Sequence, residues 1–213
     1  MTGLFIVFEG PEGCGKTTQT QRLTKRLLTM GRNPIPIREP GGTKTGEMIR
    51  KMLKDNLAGE DLTPVAELLL FEAARAQLIE KVVIPTLKSG ADVICDRFTD
   101  STVAYQGYAR GIDLCMVKCL NKFATFECQP SLTIILDIDP EIGLKRTVEK
   151  RGEQGKQLDK IEQEDIEFHH KVRKAYLLMS KNVPGKVVLD ASIEADKLEE
   201  QIWSRVQSLL PPS

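Results

Sequence analysis

The sequence predicts an α/β protein built on a parallel β-sheet with helices on both faces. Two observations lead to this prediction: short apolar runs recur along the 213 residues, and longer stretches with helical periodicity separate them. Parallel strands covered on both faces are short and almost continuously apolar, so each run suits a buried strand. Regular alternation with helices is the pattern of a doubly wound sheet. The predicted strands are 4–8, 34–37, 93–95, 132–138 and 187–189.

The helices are predicted from apolar periodicity and from residues that begin or end a helix. The first predicted helix stops at Gly31, because glycine commonly ends a helix. The next begins after Thr63 and Pro64, where threonine can cap the helix and proline suits its first turn. The predicted helices are 16–30, 65–87, 115–126, 140–150, 160–181 and 195–210.

The charge balance argues against two classes of partner. The chain carries 30 Lys and Arg against 30 Asp and Glu, a formal net charge of zero. Proteins that bind nucleic acid through its phosphates carry a basic excess, and membrane-surface proteins carry a basic amphipathic face. No run approaches the roughly 18 apolar residues of a membrane span, and 4–8 lacks the basic start of a signal peptide. We therefore expect one cytoplasmic domain, 1–213, that binds neither nucleic acid nor membranes.

The five cysteines form no C-x-x-C pair, and the only histidines are the adjacent His169 and His170, so no zinc site is predicted. Reduced, buried thiols in a reducing compartment are the expected state. Cys14 carries a second possibility, because the start of a helix favours the thiolate and thus oxidation. The alternative is that Cys14 is simply a small tolerated residue.

A glycine-rich segment between the first strand and the first helix predicts nucleotide binding. It matches G-x-x-x-x-G-K-[ST], and its glycines allow backbone N–H groups to surround phosphate oxygens at the start of a helix. Lys16 supplies a cation for the β- and γ-phosphates, and Thr17 offers a hydroxyl to Mg²⁺. The predicted ATP-binding residues are Gly10, Pro11, Glu12, Gly13, Cys14, Gly15, Lys16, Thr17 and Thr18.

This loop alone does not define the reaction, because phosphate loops occur in switches, motors and kinases. A guanine-specific switch needs N-K-x-D, whereas the segment at Asn121 reads NKFA and lies in a predicted helix. Motors and large assembly ATPases need a longer chain. A small phosphotransferase fits best, and a nucleotide-binding regulatory module with little turnover stays open.

Charged residues follow two predicted strands at the edge where α/β sheets bind ligands. Asp96 can hold the water shell of a metal, and Arg97 can donate a bidentate pair of hydrogen bonds to a phosphate. Arg38 follows another strand in the same way, with a surface turn as the alternative. Phe71 and Arg75 are four residues apart on one helix, where a ring could stack on a base and a guanidinium could bind its carbonyl. From spacing alone, however, a phenylalanine in an apolar run such as 68–71 is more often a core residue.

Five motifs in this order resemble the thymidylate kinase family, in its bacterial form. They read FEGPEGCGKTT, REPGGT, LLFEAARAQ, DRFTDSTVAYQGYARGID and LKR…RG…LDKIEQE, and the DR…S-T-x-A-Y-Q-G segment is highly specific to that family. The resemblance implies the three-layer fold of P-loop nucleoside monophosphate kinases, with a parallel five-stranded sheet flanked by helices. It also implies a homodimer that uses ATP and Mg²⁺ to phosphorylate dTMP to dTDP, a step of dTTP synthesis for DNA replication. Another (deoxy)nucleoside monophosphate as acceptor is the alternative.

The resemblance also implies how the acceptor's base and sugar are bound. Phe71 stacks on thymine and Arg75 binds its carbonyl. Thr102 and Gln106 approach the base, and Tyr105 crowds the 2′ position and so favours deoxyribose.

On the phosphate side, Glu9 lies near the acceptor phosphate and the metal, and Glu12 binds the 3′-hydroxyl. Arg97 binds the acceptor phosphate with Arg38 nearby. The dTMP-binding residues implied by the resemblance are Glu9, Glu12, Arg38, Phe71, Arg75, Arg97, Ser101, Thr102, Tyr105 and Gln106, and the implied metal ligands are Thr17 and Asp96.

The family takes a catalytic arginine either from the phosphate loop or from a mobile lid, and this loop contains no arginine. The lid would be the charged segment 145–160. The alternative is that this segment is an exposed helix end followed by a solvated loop. Arg151 matches the lid arginine and Arg146 is a second candidate, so the implied catalytic residues are Lys16, Arg97, Arg151 and Arg146. The chain departs from the usual L-D-R-I-E motif at Lys160, whose single charge lacks the fork of arginine.

Overall fold

The computed structural model of the chain describes residues 3–55 and 60–210. Its centre is a five-stranded sheet with the order β2-β3-β1-β4-β5, and every neighbouring pair is parallel. The predicted parallel sheet of five strands is confirmed. The strands are β1 (Phe5–Glu9), β2 (Pro34–Arg38), β3 (Asp92–Asp96), β4 (Leu132–Asp137) and β5 (Lys186–Asp190).

Helices connect successive strands, as parallel pairing requires. Two π-helical turns, Ile79–Val83 and Val103–Ala109, directly follow α3 and α5. The helices are α1 (Lys16–Thr29), α2 (Lys44–Asp55), α3 (Pro64–Leu78), α4 (Ile84–Lys88), α5 (Thr99–Thr102), α6 (Leu114–Ala124), α7 (Pro140–Glu153), α8 (Ile166–Ser180) and α9 (Ala195–Gln207).

The two faces of the sheet bury separate apolar clusters, which gives three layers. On one face, Phe8 and Ile134 pack with Leu27 of α1 and Trp203 of α9. The opposite face is covered by the end of α3 with the π-helical turn that follows it, and by α8. Burial on both faces explains the continuously apolar strands.

Several predicted helix bounds were wrong, and α2 and the helical turns at 99–109 were not predicted. The helix predicted over 65–87 is interrupted by a π-helical turn before Pro85, which has no amide hydrogen to donate to the preceding turn. The helix predicted from 160 begins at Ile166, because the Asp165 side chain caps it by accepting from Phe168 N at 2.7 Å.

The cysteines are all free thiols, as expected, but only Cys14 and Cys95 are buried. Cys115 and Cys119 are exposed on α6, so the expectation of buried thiols was wrong for them. No helix in residues 3–55 or 60–210 combines the length and apolarity needed to cross a membrane.

Candidate active site

A cavity of about 730 Å³ lies at the carboxyl edge of the sheet. The register brings this edge together, because Asp96 pairs with Phe8 on one side and Arg38 on the other. Most of the predicted site residues line the cavity: Glu12, Gly13, Cys14, Gly15, Lys16, Thr17, Thr18, Arg38, Phe71, Asp96, Arg97, Ser101, Thr102, Tyr105, Gln106, Arg146 and Arg151. Glu9, Gly10, Pro11 and Arg75 lie outside this lining.

The phosphate loop is shaped by glycines between β1 and α1. Gly13 and Gly15 have φ values of 69° and 92°, which side chains rarely tolerate. A Cβ on Gly13 would lie 1.9 Å from the carbonyl oxygen of Gly143, so the loop packs directly on α7. Lys16 folds back over the loop, where its Nζ donates to Gly10 O at 3.0 Å and to Pro11 O at 2.7 Å.

Cys14 is buried inside this loop, with its Sγ 3.4 Å from Lys16 Nζ. Burial raises the pKa of the Cys14 thiol, although the nearby Lys16 acts in the opposite direction. The thiolate is therefore disfavoured despite the helix start. This environment favours the alternative of a small residue that fills the interior of the loop.

The two predicted metal ligands meet at the start of α1. The Thr17 hydroxyl donates to Asp96 Oδ2 at 2.6 Å, and both side chains line the cavity. Hydroxyl and carboxylate oxygens are hard ligands, and Mg²⁺ needs few of them because it retains waters. The pair therefore fits a magnesium ion.

Arg97 joins the end of β3 to the phosphate loop. Its φ of 73° is a strained backbone conformation for arginine, held in part by the bond from its N–H to Phe8 O at 2.9 Å. Its Nη2 donates to Glu12 Oε1 at 2.7 Å. Burial favours the neutral form of Glu12, but the charges of Arg97 and Lys16 outweigh it and lower the pKa of Glu12 to about 2. Glu12 is therefore an ionised hydrogen-bond acceptor at neutral pH.

Glu9 lies at the end of β1, fully buried behind Arg97. One carboxylate oxygen accepts from Phe98 N at 2.8 Å and Ser101 N at 3.1 Å, and the other accepts from the hydroxyls of Ser101 and Tyr176. Burial raises the pKa of Glu9, and the charge of Asp100 adds to this. In this structure Glu9 fixes the β3–α5 turn that carries Arg97.

Arg75 is 1% exposed and is the hub of a buried polar network. Its Nε donates to Glu39 Oε2 at 2.8 Å, and its Nη1 donates to Glu72 at 2.7 Å and to Asn121 Oδ1 at 2.6 Å. Nη2 donates to Phe98 O at 3.1 Å. These contacts join β2, α3, α6 and the β3–α5 turn, and binding of thymine by Arg75 stays a prediction.

The predicted base-binding side chains surround one end of the cavity. Phe71 is half-buried on α3, and Thr102 and Gln106 are buried side chains of the helical turns at 99–109. Gln106 is fixed by a bond from its Nε2 to Glu67 Oε1 at 2.7 Å. The Tyr105 hydroxyl donates to Glu12 Oε1 at 3.1 Å, next to the expected sugar position.

Two cations of α2 that were not predicted also line the cavity, Arg50 and Lys54. Arg50 donates to Pro40 O at 2.9 Å, while burial and the nearby charge of Arg38 lower the pKa of Arg50. Apolar pairs four residues apart, such as Ile49 and Leu53, could have revealed α2. The loop between β5 and α9, residues 191–194, also lines the cavity but carries no recognisable motif.

Residues of the predicted lid segment, 145–160, line the cavity on the side of α7. Arg151 faces Glu162, with its Nη2 2.8 Å from Glu162 Oε1, and this hydrogen bond raises the pKa of Arg151. Arg146 donates to Ala191 O at 3.0 Å in the β5–α9 loop. Lys160 pairs with Asp61 at 2.8 Å.

A phosphate loop on a central parallel strand, facing a cation-rich acceptor cavity, defines the class of P-loop nucleoside monophosphate kinases. A model of the family described as thymidylate kinase matches residues 8–202. The chain therefore belongs to the thymidylate kinase family.

Relatives and a solved structure support this assignment. The thymidylate kinase of Caldanaerobacter subterraneus subsp. tengcongensis is 47% identical over 99% of this chain and 98% of its own length. That of Geobacter sp. strain M21 is 44% identical over 97% and 94%. A crystal structure of thymidylate kinase from Ehrlichia chaffeensis superposes with a TM-score of 0.77 at 31% identity, covering 97% of this chain and all of that one.

Glu39 makes the stability of the protein depend on pH. Burial raises the pKa of Glu39 to about 7 against the charge of Arg75. A carboxyl whose pKa is higher in the folded state stabilises the fold at low pH, and this stabilisation is lost as the pH rises through 7. Between about pH 5 and pH 8, we expect wild type to lose about 2 to 3 kcal/mol of unfolding free energy relative to Glu39→Gln. Urea unfolding across this range measures it, and parallel pH curves for the two proteins would contradict it.

Proposed function

We propose that the chain transfers the γ-phosphoryl group of ATP to dTMP, giving dTDP and ADP. The observation that carries this proposal is that the phosphate loop and the acceptor motifs of the thymidylate kinase family face one cavity. A regulatory module that only binds ATP would need the phosphate loop alone. By contrast, the side chains of the acceptor motifs are needed only if a second nucleotide binds.

On the donor side, the loop and the start of α1 would hold the triphosphate with backbone N–H groups. Lys16 Nζ, now bonded to loop carbonyls, is a mobile cation for the β- and γ-phosphates. Thr17 and Asp96 would hold Mg²⁺, directly or through its waters. When bound, Mg²⁺ neutralises charge on the phosphate oxygens.

On the acceptor side, Arg97 would bind the phosphate of dTMP. The ionised Glu12 only accepts hydrogen bonds, which suits the sugar's 3′-hydroxyl as a donor. Phe71 would stack on thymine, while Thr102 and Gln106, which line the same cavity, would approach the base. Arg75 lies behind this lining and contacts Thr102 at 3.3 Å, from where it would bind the thymine carbonyl. Arg38 and Arg50 add positive charge at the phosphate end.

The chemistry requires alignment and charge compensation more than a general base. The acceptor phosphate is already ionised, so no proton must be removed before attack. Lys16 and Arg151 would stabilise charge on the transferring group while Arg97 holds the acceptor in line. Arg146 is the second candidate for the lid arginine. It would contact either the donor phosphates or the adenine of ATP.

An acceptor panel tests the reaction. We expect ADP release with dTMP to exceed that with dUMP, GMP or dGMP by about tenfold or more in kcat/KM, because one methyl group in an apolar pocket changes kcat/KM by about that factor and a purine is a poorer fit than a pyrimidine. EDTA should abolish turnover, and the Lys16→Ala variant should stay folded but inactive. Faster turnover of another monophosphate would indicate a different acceptor, and ATP binding without any turnover would indicate a regulatory module.

The role of the lid arginine is tested by Arg151→Ala. We expect kcat to fall by about 10³, because an arginine at the transferring phosphoryl group contributes about that much in related enzymes, while KM for dTMP stays within about threefold. Lys156→Ala, which removes an exposed cation of the same lid segment, is the control and should leave kcat unchanged. A kcat for Arg151→Ala within about threefold of wild type would contradict the assignment.

We also propose a homodimer formed through α3 and α6. These helices pack together and expose Leu69 and Met116, and Phe123 is 81% exposed. Large exposed apolar side chains on two helices that pack together are typical of an interaction surface. Light scattering should give about twice the chain mass of 23.8 kDa. Phe123→Asp should yield monomers while Met48→Asp on α2 should not, and a monomeric wild type would contradict the proposal.

The chain is proposed to act as one domain in the cytoplasm, with 145–160 as its mobile lid. The free cysteines support a reducing compartment. Cell fractionation tests the location, and hydrogen exchange of 145–160 with and without ATP tests the lid.

A further inference from the structure

A tight turn at the end of the lid segment is closed by two carboxylates. Asp159 Oδ1 accepts from Glu162 N at 3.1 Å, and Glu162 Oε2 accepts from Asp159 N at 2.9 Å. This reciprocal pair has the geometry of a capping box, although it closes a turn. Between them, Ile161 packs against the cluster that contains Tyr105 and Phe168. The turn is therefore anchored to the wall of the acceptor cavity.

Glu162 uses the same carboxylate to hold the Arg151 guanidinium. Its Oε2 lies 3.1 Å from Arg151 Nε and its Oε1 lies 2.8 Å from Nη2, a bidentate arrangement that fixes the plane of the guanidinium. Glu162 is only 8% exposed, so water competes little for this contact. Asp159 Oδ2 adds a further contact to Nη2 at 3.3 Å.

The remaining edge of the Arg151 guanidinium is left for a ligand. In the part of the chain that the structure describes, the hydrogen bonds of Arg151 all start from Nε and Nη2. The Nη1 donors are not engaged by them, and Arg151 lines the cavity. Because Glu162 holds the edge of the guanidinium that carries Nε, the edge that carries Nη1 has a single orientation toward the cavity.

We propose that Glu162 is a positioning residue that orients Arg151 toward the transferring phosphoryl group, an inference that rests on the proposed role of Arg151. Arginine has several rotatable bonds, and the Arg151 side chain is 26% exposed. Without Glu162 it would sample many rotamers, and a misplacement of about 1 Å can reduce a rate by about 10². Lys54 of α2 pairs with Asp159 of the same turn, so the acceptor side of the cavity supports this orientation.

A double-mutant cycle tests this role with Glu162→Gln, Arg151→Ala and the combined variant. Glutamine keeps the size of the side chain but loses the charge. We expect Glu162→Gln to lower kcat by about 10- to 100-fold, with KM for dTMP within about threefold, and to cause no further loss in the Arg151→Ala background. The control is Glu153→Gln, the same change at an exposed position of α7, which should leave kcat unchanged. Circular dichroism checks the fold of each variant, and Glu162→Asp replaces Glu162→Gln in the cycle if the latter is unfolded.

The possible failures are distinguishable. If Arg151→Ala lowers kcat but Glu162→Gln does not, the positioning role is wrong and the lid arginine stands. If Glu162→Gln lowers kcat by the same factor with and without Arg151, Glu162 only stabilises the turn and the inference is overturned. If Arg151→Ala keeps the wild-type kcat, the lid arginine and the inference both fail.

Discussion

The ion pair between Arg97 and Glu12 is the contact around which the cavity is organised. Arg97 extends from the end of β3 in a strained backbone conformation, and Glu12 lies in the phosphate loop after β1. Because these strands are neighbours, the sheet brings a donor-side loop and an acceptor-side turn to within 2.7 Å of each other. In-line transfer requires the two nucleotides to be held in a fixed relative position. The ion pair between Arg97 and Glu12 joins the turn and the phosphate loop that would hold them.

Buried charged side chains hold the turn that carries Arg97 in place. Glu9 binds the turn that carries Arg97, and Arg75 ties Glu39 and Glu72 to that turn through Phe98 O. These groups are expensive to bury, and breaking one partner leaves another uncompensated. A net charge of zero is compatible with a cavity lined by more cations than carboxylates, because other carboxylates, such as Glu9 and Glu72, are buried outside its lining.

The sequence predicted the sheet and the phosphate loop, because both depend on local pattern. It also predicted half of the residues that line the cavity, several of them only through the family resemblance. Apolar runs mark buried strands, and the loop motif fixes where Lys16 and Thr17 lie relative to a strand and a helix. The contacts of Arg75 could not be predicted, since Glu39 and Asn121 are 36 and 46 residues away from it in the chain. The orientation of Arg151 likewise depends on a tertiary contact with Glu162 rather than on its own motif.

The backbone contact between Gly13 and Gly143 also limits where the predicted lid segment can begin. A Cβ on Gly13 would meet Gly143 O, and a Cβ on Gly143 would lie 2.3 Å from Glu12 O, so backbone packs on backbone there. By contrast, a Cβ on Gly152 would meet open space among the described residues. The first turn of α7 is thus packed against the phosphate loop, so any movement of the predicted lid segment would have to begin beyond this turn. One end of α7 would then support the phosphate loop while the other end carries Arg151.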